Sequence, residues 1–330
     1  MTDFIARKLF TALVTIWIVS MLSFVIIQLP PGDYVTSYVQ QLMNSGTAVS
    51  AQEAEALRAQ YGLDDPVWVQ YFKWITRVLR GDFGVSMEWQ RPVADLLGER
   101  MLLTIIVSLS AILFAWAVAI PVGIYSAVRQ YSLGDNVFTF VGFLGLAIPD
   151  FLLALVFLYF GYELFGVHLG GLFSPEFQRA PWSLAKAWDL LAHLWLPAVI
   201  LGTSGMAAQM RVMRANLLDE LRKPYVVTAE AKGLKRSHVI LKYPLRASLN
   251  PLVSTIGYLL PTVVSGSIIV SLVLALPTVG PLLLGALLSQ DMYLAGAIIL
   301  LLGVLTVIGT FLSDLLLMWV EPRLRFRRIA

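Results

Sequence analysis

Apolar stretches with little or no charge alternate with short basic ones along most of this chain. A helix that crosses the hydrocarbon core of a bilayer needs roughly 20 mostly apolar residues. The stretches that reach this length are Leu9–Leu29, Met101–Val128, Val137–Tyr162, Leu190–Met210, Leu252–Leu274 and Met292–Trp319. Between the last two, Pro and Gly interrupt Ala275–Gln290, which predicts a short helix or re-entrant segment. The pattern predicts an all-α membrane protein with six transmembrane helices.

The composition narrows the class of protein. Hydrophobic residues make up 58% and charged residues 14% of the 330 residues, whereas soluble domains hold about 25% charged residues. The net charge of +3 is explained by cationic loops on one side of a bilayer, so nucleic-acid binding is not expected. The chain has no cysteine, which excludes disulfides, thiolate metal sites and cysteine nucleophiles.

The basic loop (residues 211–250) sets the expected orientation. Its cations are Arg211, Arg214, Arg222, Lys223, Lys232, Lys235, Arg236, Lys242 and Arg246, and its acids are Asp219, Glu220 and Glu230. Cationic loops stay on the cytoplasmic side of a membrane, and the N-terminal Arg7 and Lys8 and the basic tail fall on the same side. We therefore expect both termini in the cytoplasm. The first apolar stretch lacks a small-residue cleavage site and is expected to be retained as an anchor.

These boundaries divide the chain into three parts. Residues 1–29 form a tail and the first helix, residues 30–98 an insert on the outer side, and residues 99–330 a core of five helices that includes the basic loop. Ser50 and Glu53 have the spacing of a capping box, and the Ala-rich stretch after them favours a helix. The insert is therefore expected to be folded and partly helical.

The basic loop itself predicts a bent pair of helices. The fourth transmembrane helix continues from Arg211 into the cytoplasm, and Pro224 with Tyr225 can restart a second helix. A run of small residues then ends at Gly233, which suits a left-handed C-cap. Residues 235–251 follow as a helix that returns to the bilayer. Such a pair fits a groove on another protein, and the alternative is a basic loop that lies on anionic lipid headgroups.

Several short motifs in fixed order resemble one known family. The basic loop has the form T-A-x-A-K-G-L from Thr228 to Leu234, followed by L-R-x-x-L-x-P up to Pro251. The other motifs are Ile5–Leu9, Pro31–Asp33, Tyr61–Tyr71, Gly81–Ser86, Ala119–Gly123, Leu196–Gly202, Asp314 and Glu321–Arg325. Over nearly its whole length the chain resembles the ABC importer permeases of the dipeptide, oligopeptide and nickel group.

The resemblance implies a transport subunit of the bacterial inner membrane that has no cofactor or covalent chemistry of its own. The implied partners are a second homologous permease subunit, two ABC ATPase subunits that bind ATP and Mg, a periplasmic substrate-binding protein and membrane lipid. ATPase coupling is assigned to Arg222, Tyr225, Thr228, Ala229, Glu230, Lys232, Gly233 and Leu234. The substrate path is assigned to Asp150, Ser204, Tyr258, Thr262 and Ser265.

Two features depart from the family's pattern. When the chain is aligned on Gly233, the usual Glu-Ala-Ala triplet falls on residues 227–229, so Glu230 is not the family's acid. Peptide permeases often lack that acid. After the fifth span, Ser271–Gly280 contains no acid-aromatic-x-x-Pro-Gly run. Peptides are the expected substrates, and oligosaccharides, nickel, opines and glutathione stay open.

Asp150 is the only charge in the third predicted span and follows Pro149 about halfway along it. A carboxylate at that depth costs about 3 kcal/mol unless it faces protein, water or a partner. Two interpretations stay open. The carboxylate binds a cationic or hydroxyl group of the substrate, or it forms a hydrogen bond across an interface between permeases.

Two other classes of protein fit less well. Gly202–Gly205 matches the G-x-S-G of rhomboid-like proteases, but His193 lies about 16 Å from Ser204 along one helix, too far for a serine and its base. A self-contained ion-coupled transporter commonly shows internal repeats, and the sequence shows none. No phosphate-loop motif is present, so the chain does not hydrolyse ATP by that route.

Overall fold

The computed structural model describes residues 2–29, 32–44 and 50–320 of the chain; within them, the side chains of residues 2–5, 41, 60, 99, 255–266 and 316–320 are not described. The predicted basic tail and the motif residues Pro31 and Glu321–Arg325 lie outside the described residues. Within these ranges the helices are α1 (Thr2–Gln28), α2 (Tyr34–Asn44), α3 (Ala51–Tyr61), α4 (Val67–Leu79), α5 (Val93–Val128), α6 (Leu133–Ala147), α7 (Asp150–Phe165), α8 (Leu184–Leu221), α9 (Pro224–Ala231), α10 (Arg236–Lys242), α11 (Pro244–Ser248), α12 (Asn250–Val273), α13 (Val279–Leu288) and α14 (Met292–Val320). The fold is mostly helical, as predicted.

The helices group into two compact units. Unit 1 comprises Met1–Leu103 and Thr278–Val307, and unit 2 comprises Thr104–Pro277 and Ile308–Ala330. Two of the three unit boundaries therefore fall inside the long helices α5 and α14, and the third lies between α12 and α13.

The centre of unit 1 is formed by α1, α4 and the first part of α14. Phe24 of α1 packs against Trp74 of α4, with ring centroids 5.8 Å apart. Trp74 is fully buried. Its indole lies over Gly296 of α14, where an added Cβ would be only 3.1 Å from the ring. Glycine at position 296 therefore allows this close approach.

Polar contacts hold α2 against α3. Asp33 accepts hydrogen bonds from the Thr36 backbone N–H at 2.7 Å and from Arg58 Nε at 2.8 Å. Burial acts to raise the pKa of Asp33, but the hydrogen bonds from Arg58 and Thr36 outweigh it and the pKa is lowered. The capping box predicted at the start of α3 is confirmed, because Ser50 and Glu53 each accept from the other's backbone N–H.

In unit 2, the 38-residue helix α8 packs against α6, α7, α11 and α12. Two glycines let α6 approach α8 closely. An added Cβ at Gly145 would lie 2.8 Å from Thr203 Cγ2, and one at Gly142 would lie 3.0 Å from Met210 Cε. Small residues at helix interfaces are common in membranes, where backbones pack closely without a hydrophobic driving force.

Among the described residues, four helical segments are long and apolar enough to cross a membrane: Ala6–Gln28, Val93–Val128, Leu184–Leu221 and Met292–Leu315. The number rises to five if α6 and α7 count as one span. Helix α12 covers the fifth predicted span, but many of its side chains lie outside the described set. The chain is therefore a multi-pass membrane protein, and six spans remain a prediction.

The third predicted span, Val137–Tyr162, is wrong as a single straight helix. α6 ends at Ala147 and α7 begins at Asp150, and the two helices are bent by 99°. The cause is Pro149, whose ring disfavours helical geometry for the preceding residue. Ile148 accordingly takes an extended conformation with φ −89° and ψ 121°.

Other predicted bounds are confirmed or shifted. The short helix expected within Ala275–Gln290 is confirmed as α13. α5 begins at Val93, ahead of the predicted Met101. The single returning helix predicted over residues 235–251 is wrong, because that segment is divided into α10, α11 and the start of α12. Pro244 and Pro251 lack the backbone N–H that a continuous helix needs; Pro244 is the first residue of α11 and Pro251 the second residue of α12.

Candidate functional site

The basic loop begins as a direct extension of α8. The helix runs without a break to Leu221, and Arg222 is its exposed C-cap residue. Glu220 holds the following turn in place, because its carboxylate accepts hydrogen bonds from Lys223 Nζ and from the Tyr225 hydroxyl, both at 2.5 Å. Burial, together with the hydrogen bond to Glu220, raises the pKa of Tyr225. The Tyr225 hydroxyl therefore acts as a neutral donor that fixes the start of α9.

Pro224 is the first residue of α9, as predicted from its missing N–H and fixed φ. One side of this short helix faces the protein: Val226 is buried and Ala229, three residues later, is partly buried. Val227 is 61% exposed on the other side, beside the exposed Thr228. The Thr228 hydroxyl donates within its own helix to the carbonyl of Pro224 at 2.9 Å.

The turn after α9 has the geometry of a Schellman motif. The N–H of Gly233 donates to the carbonyl of Glu230 at 2.9 Å, and the N–H of Leu234 to that of Ala229 at 3.4 Å. Gly233 has φ +79°, which confirms the predicted left-handed turn. An added Cβ would meet no atom within 4 Å. The requirement for glycine is therefore conformational, not steric.

The outer surface of this turn is polar and charged. Glu230 lies 3.9 Å from Arg236 of α10, with both side chains well exposed. Such a pair contributes about 1 kcal/mol or less. Lys232 is also exposed, and Leu234 is 40% exposed. The structure thus places seven of the eight residues assigned to coupling in α9 and the turn after it, and Arg222 at the end of α8, two residues before α9.

An apolar cluster joins the two ends of the basic loop to the long helices of unit 2. Its buried members are Ala127 of α5, Met213 and Leu217 of α8, and Leu252 of α12. Leu245 of α11 and Leu249 pack against the same cluster. Four helices therefore meet in one apolar core at the base of the basic loop, which makes the loop and the helix ends a packed body.

The second candidate site lies where α6 and α7 are bent apart. Asp150 is the first residue of α7, and the Ser204 hydroxyl of α8 is 3.4 Å from its carboxylate. Both residues are partly buried. The first N–H groups of a helix have no intrahelical acceptor and carry partial positive charge, so this position favours a carboxylate.

The remaining residues of the predicted substrate path fall on α12. Tyr258, Thr262 and Ser265 belong to this helix, but their side chains lie outside the described residues. The structure therefore brings together Asp150 and Ser204, and the assignment of all five residues to a path remains a prediction.

The protease alternative gains no support from the geometry. His193 and Ser204 are eleven residues apart on the continuous helix α8. His193 Nδ1 lies 2.8 Å from the carbonyl oxygen of Asp189. The Ser204 hydroxyl points instead to Asp150. Among the described residues, no group of three or more His, Asp or Glu could hold a metal ion.

Sequence reasoning missed an ion pair that joins α6 to α8. Arg214 Nε donates to Asp135 at 3.1 Å, and its Nη2 donates to the same carboxylate at 2.9 Å. Asp135 is almost fully buried and also accepts from the Tyr131 N–H at 2.9 Å. Arg214 was counted only as one more cation of the basic loop. One sign of this contact was present in the sequence: Asp135 lies three residues after Ser132, a spacing typical of an acid in the first turn of a helix.

The apolar helices are long enough to define a membrane protein. Residues 119–326 match the family described as binding-protein-dependent transport system inner membrane component, and residues 1–110 match its N-terminal membrane component family. The chain belongs to this family. It is a permease subunit of an ABC importer of the peptide and nickel group, a multi-pass protein of the inner membrane and a transport component.

Individual relatives span the full length of the chain. The oligopeptide transport system permease AppB of Bacillus subtilis is 32% identical over 99% of this chain and 100% of its own length. The dipeptide transport system permease DppB of Escherichia coli K12 is 30% identical over 99% and 100%. A chain of the inward-facing MetNI methionine ABC transporter structure has a TM-score of 0.52 at 18% identity, covering 68% of this chain and 96% of its own. The last likeness supports the fold.

Proposed function

We propose that this chain forms half of the path of an ATP-driven peptide importer and that α9 docks on an ATPase subunit. The proposed assembly contains a second homologous permease, two ATPase subunits that bind ATP and Mg, and a periplasmic binding protein. Both chain termini and the basic loop lie in the cytoplasm, and the chain crosses the membrane six times. The exposed side of α9, in a loop whose two ends pack into the apolar cluster of unit 2, is the observation that carries this proposal.

The projection suits the transfer of motion. A packed core shifts between discrete arrangements and does not deform continuously. Leu217 of α8, Leu245 of α11 and Leu252 of α12 belong to one apolar cluster. Because α9 lies between α8 and α11 in the chain, a displacement of α9 on ATP binding would move the ends of these helices together. The exposed side of α9, with Val227 and Thr228 at its centre, is the surface that remains available to a partner.

Two neighbouring valines provide a matched test. Val227 is 61% exposed and Val226 is 2% exposed. Val227→Asp should leave the chain folded and inserted but abolish substrate-stimulated ATPase activity in the reconstituted complex, because it places a charge on the docking surface. Val226→Asp buries an unpaired charge, so it should destabilise the basic loop by about 3 kcal/mol and expose it to proteolysis.

The two valines also distinguish docking from folding. If Val227→Asp retains normal stimulated ATPase activity and normal copurification with the ATPase, α9 does not dock through this side. If Val227→Asp is as sensitive to protease as Val226→Asp, the loss of activity reflects the fold of the loop and not its docking.

Di- and oligopeptides are the proposed substrates. The support is the full-length similarity to permeases named for oligopeptide, dipeptide and glutathione transport. Titration of the cognate periplasmic binding protein with peptide and oligosaccharide panels tests this directly. Tight binding of peptides alone agrees with the proposal, and selective binding of oligosaccharides contradicts it.

Asp150 is proposed to line the path at the break between α6 and α7. Its carboxylate is partly buried beside the Ser204 hydroxyl, and it forms no ion pair with the described side chains. Asp150→Asn keeps the shape and hydrogen bonding of the side chain but removes the charge. If Asp150 lines the path, Asp150→Asn should slow the transport of cationic peptides at least tenfold while assembly stays normal. A tenfold change in rate corresponds to roughly 1.4 kcal/mol in activation free energy. Unchanged transport would show that Asp150 has neither role. Failure of the two permeases to assemble would assign Asp150 to the interface between them.

A further inference from the structure

Helix α4 of the insert has three distinct faces. One face is buried in unit 1 and carries Gln70, Tyr71 and Trp74. A second face carries Trp68, Phe72, Ile75 and Leu79, which fall within an arc of about 60° on a helix of 3.6 residues per turn. We call these four residues the apolar stripe. Trp68 is 66%, Phe72 61% and Leu79 82% exposed. The third face carries the exposed Lys73, Arg77 and Arg80.

Contacts with α1 show how α4 is rotated relative to the membrane. The candidate span of α1 ends at Gln28. Gln28 donates to the side-chain oxygen of Gln70 at 2.9 Å, whereas Ser20 and Tyr71 share a hydrogen bond of 2.8 Å. Ser20 lies eight residues before Gln28, or about 12 Å deeper along the helix. The side of α4 that carries Tyr71 therefore faces the middle of the bilayer, and the side that carries Gln70 faces the end of the span.

Contacts with α14 give the same rotation independently. Arg77 lies over the ring of Tyr293, the second residue of α14, at 5.9 Å. Trp74 lies against Gly296, one turn further into the span. Around the circumference of α4 the order is Arg77, Gln70, Trp74, Tyr71, at about 180°, 200°, 240° and 300° from Trp68. The depth of the contacts in the two spans increases in the same order.

The apolar stripe continues this progression. Its centre lies about 70° beyond Tyr71 and about 170° from Gln70 on the helical wheel. The stripe therefore lies on the side of α4 that faces the bilayer. On the opposite side, Lys73 pairs with Asp65 at 2.5 Å and Arg77 with Asp82 at 2.9 Å. Both ion pairs are largely exposed, as expected for groups in water.

The level that Tyr71 reaches is one at which α1 already presents apolar side chains outward. Next to Ser20 and Phe24, the side chains of Met21, Leu22 and Val25 are 41%, 55% and 49% exposed. The apolar stripe therefore lies at the same depth in the membrane as a lipid-facing surface of α1, and not outside the bilayer.

We propose that α4 is an interfacial helix whose apolar stripe is immersed in the acyl chains of the leaflet at the Gln28 end of α1. A helix with separate apolar and cationic faces binds at the boundary between headgroups and acyl chains, and an indole such as that of Trp68 is favoured at that depth. With the orientation proposed above, this is the periplasmic leaflet. The insert is thus anchored in lipid along α4, and only its remaining parts are available to a protein partner.

The absence of cysteine from the chain allows a direct test. Single cysteines at Trp68, Phe72 and Leu79 would be labelled with a nitroxide in the full-length chain, which is then assembled with its partners in phospholipid vesicles. Lys73→Cys and Arg80→Cys on the opposite face serve as matched controls. Power-saturation EPR measures collision of each label with oxygen, which concentrates in lipid, and with a water-soluble nickel chelate.

The proposal expects the ratio of oxygen to nickel-chelate collisions to be several-fold higher at the three stripe positions than at the two control positions. An equal ratio on both faces, with high nickel accessibility, would place the stripe in water. Labels on the stripe that neither reagent reaches would place a protein surface there. Either result would overturn the proposal.

Discussion

The insert and the basic loop both lie outside the candidate spans, but they attach to the long helices through different contacts. The insert uses hydrogen bonds between residues far apart in the chain. Ser20 bonds to Tyr71, Gln28 to Gln70, Ser37 to Gln290 at 3.0 Å and Ser86 to the buried Asp291 at 2.5 Å. The basic loop attaches mainly through the apolar cluster around Met213, Leu217 and Leu252, and in addition through the ion pair between Arg214 and Asp135.

This difference matches what each region has to do. Hydrogen bonds are directional, and an unpaired buried polar group is costly, so the contacts of the insert fix one orientation of α4. Apolar packing is not directional but resists changes in volume, so the cluster at the base of the basic loop would move as a body. Under the proposed function, the insert holds a position and the basic loop transmits a displacement.

The largest expected effect concerns Trp74, a bulky side chain that holds the insert by apolar packing in addition to its hydrogen bonds. Trp74→Ala should destabilise unit 1 by about 3–5 kcal/mol, because it leaves a cavity between Phe24 and Gly296. Trp68→Ala, on the same helix but 66% exposed, should cost about 0.5 kcal/mol or less. Thermal unfolding in detergent micelles measures both. Equal losses would mean that α4 is not anchored through Trp74.

A smaller effect is expected at the turn of the basic loop. Gly233→Val forces a β-branched residue into a left-handed conformation, which costs about 1–2 kcal/mol. Because this turn presents α9, transport should fall at least tenfold while membrane insertion stays normal.

Gly166→Val is the matched control for this turn. Gly166 ends α7 with φ +64° and, like Gly233, has no atom within 4 Å of an added Cβ. It should carry the same strain without loss of coupling between ATP hydrolysis and transport. If both variants uncouple to the same extent in proteoliposomes, general strain and not the position of α9 explains the effect.

The features that the sequence predicted are those with a local cause. Pro224 begins α9, Gly233 ends it and Ser50 caps α3 because each acts through the backbone of its own neighbourhood. The bend at Pro149 had a local cause too, because proline disfavours helical geometry in the residue before it. A hydropathy pattern shows only how apolar a segment is and not whether its helix is bent.

The long-range contacts could not be predicted. Asp135 and Arg214 are 79 residues apart, and Ser20 and Tyr71 are 51 apart. No periodicity in a single sequence joins residues at such distances. The same limit applied to α9, where the sequence showed a run of small residues but not that Ala229 turns towards the protein and Val227 away from it.

The smallest expected effect tests whether the depth of α4 depends on a single hydrogen bond. Tyr71→Phe and Ser20→Ala each remove one partner of the 2.8 Å bond. A double-mutant cycle should give a coupling energy of about 0.6 kcal/mol, typical of hydrogen bonds between helices in membranes. Thr76→Val is the control partner for Tyr71→Phe, since the Thr76 hydroxyl donates within α4, to the carbonyl of Phe72 at 2.6 Å, and contacts no other helix through a hydrogen bond among the described residues. That pair should be additive. A coupling energy near zero for Ser20 and Tyr71 would mean that aromatic packing around Phe24, and not this polar contact, sets the depth of the insert. Polar attachment of the insert would then be limited to α2, α3 and Ser86, and it would no longer describe α4.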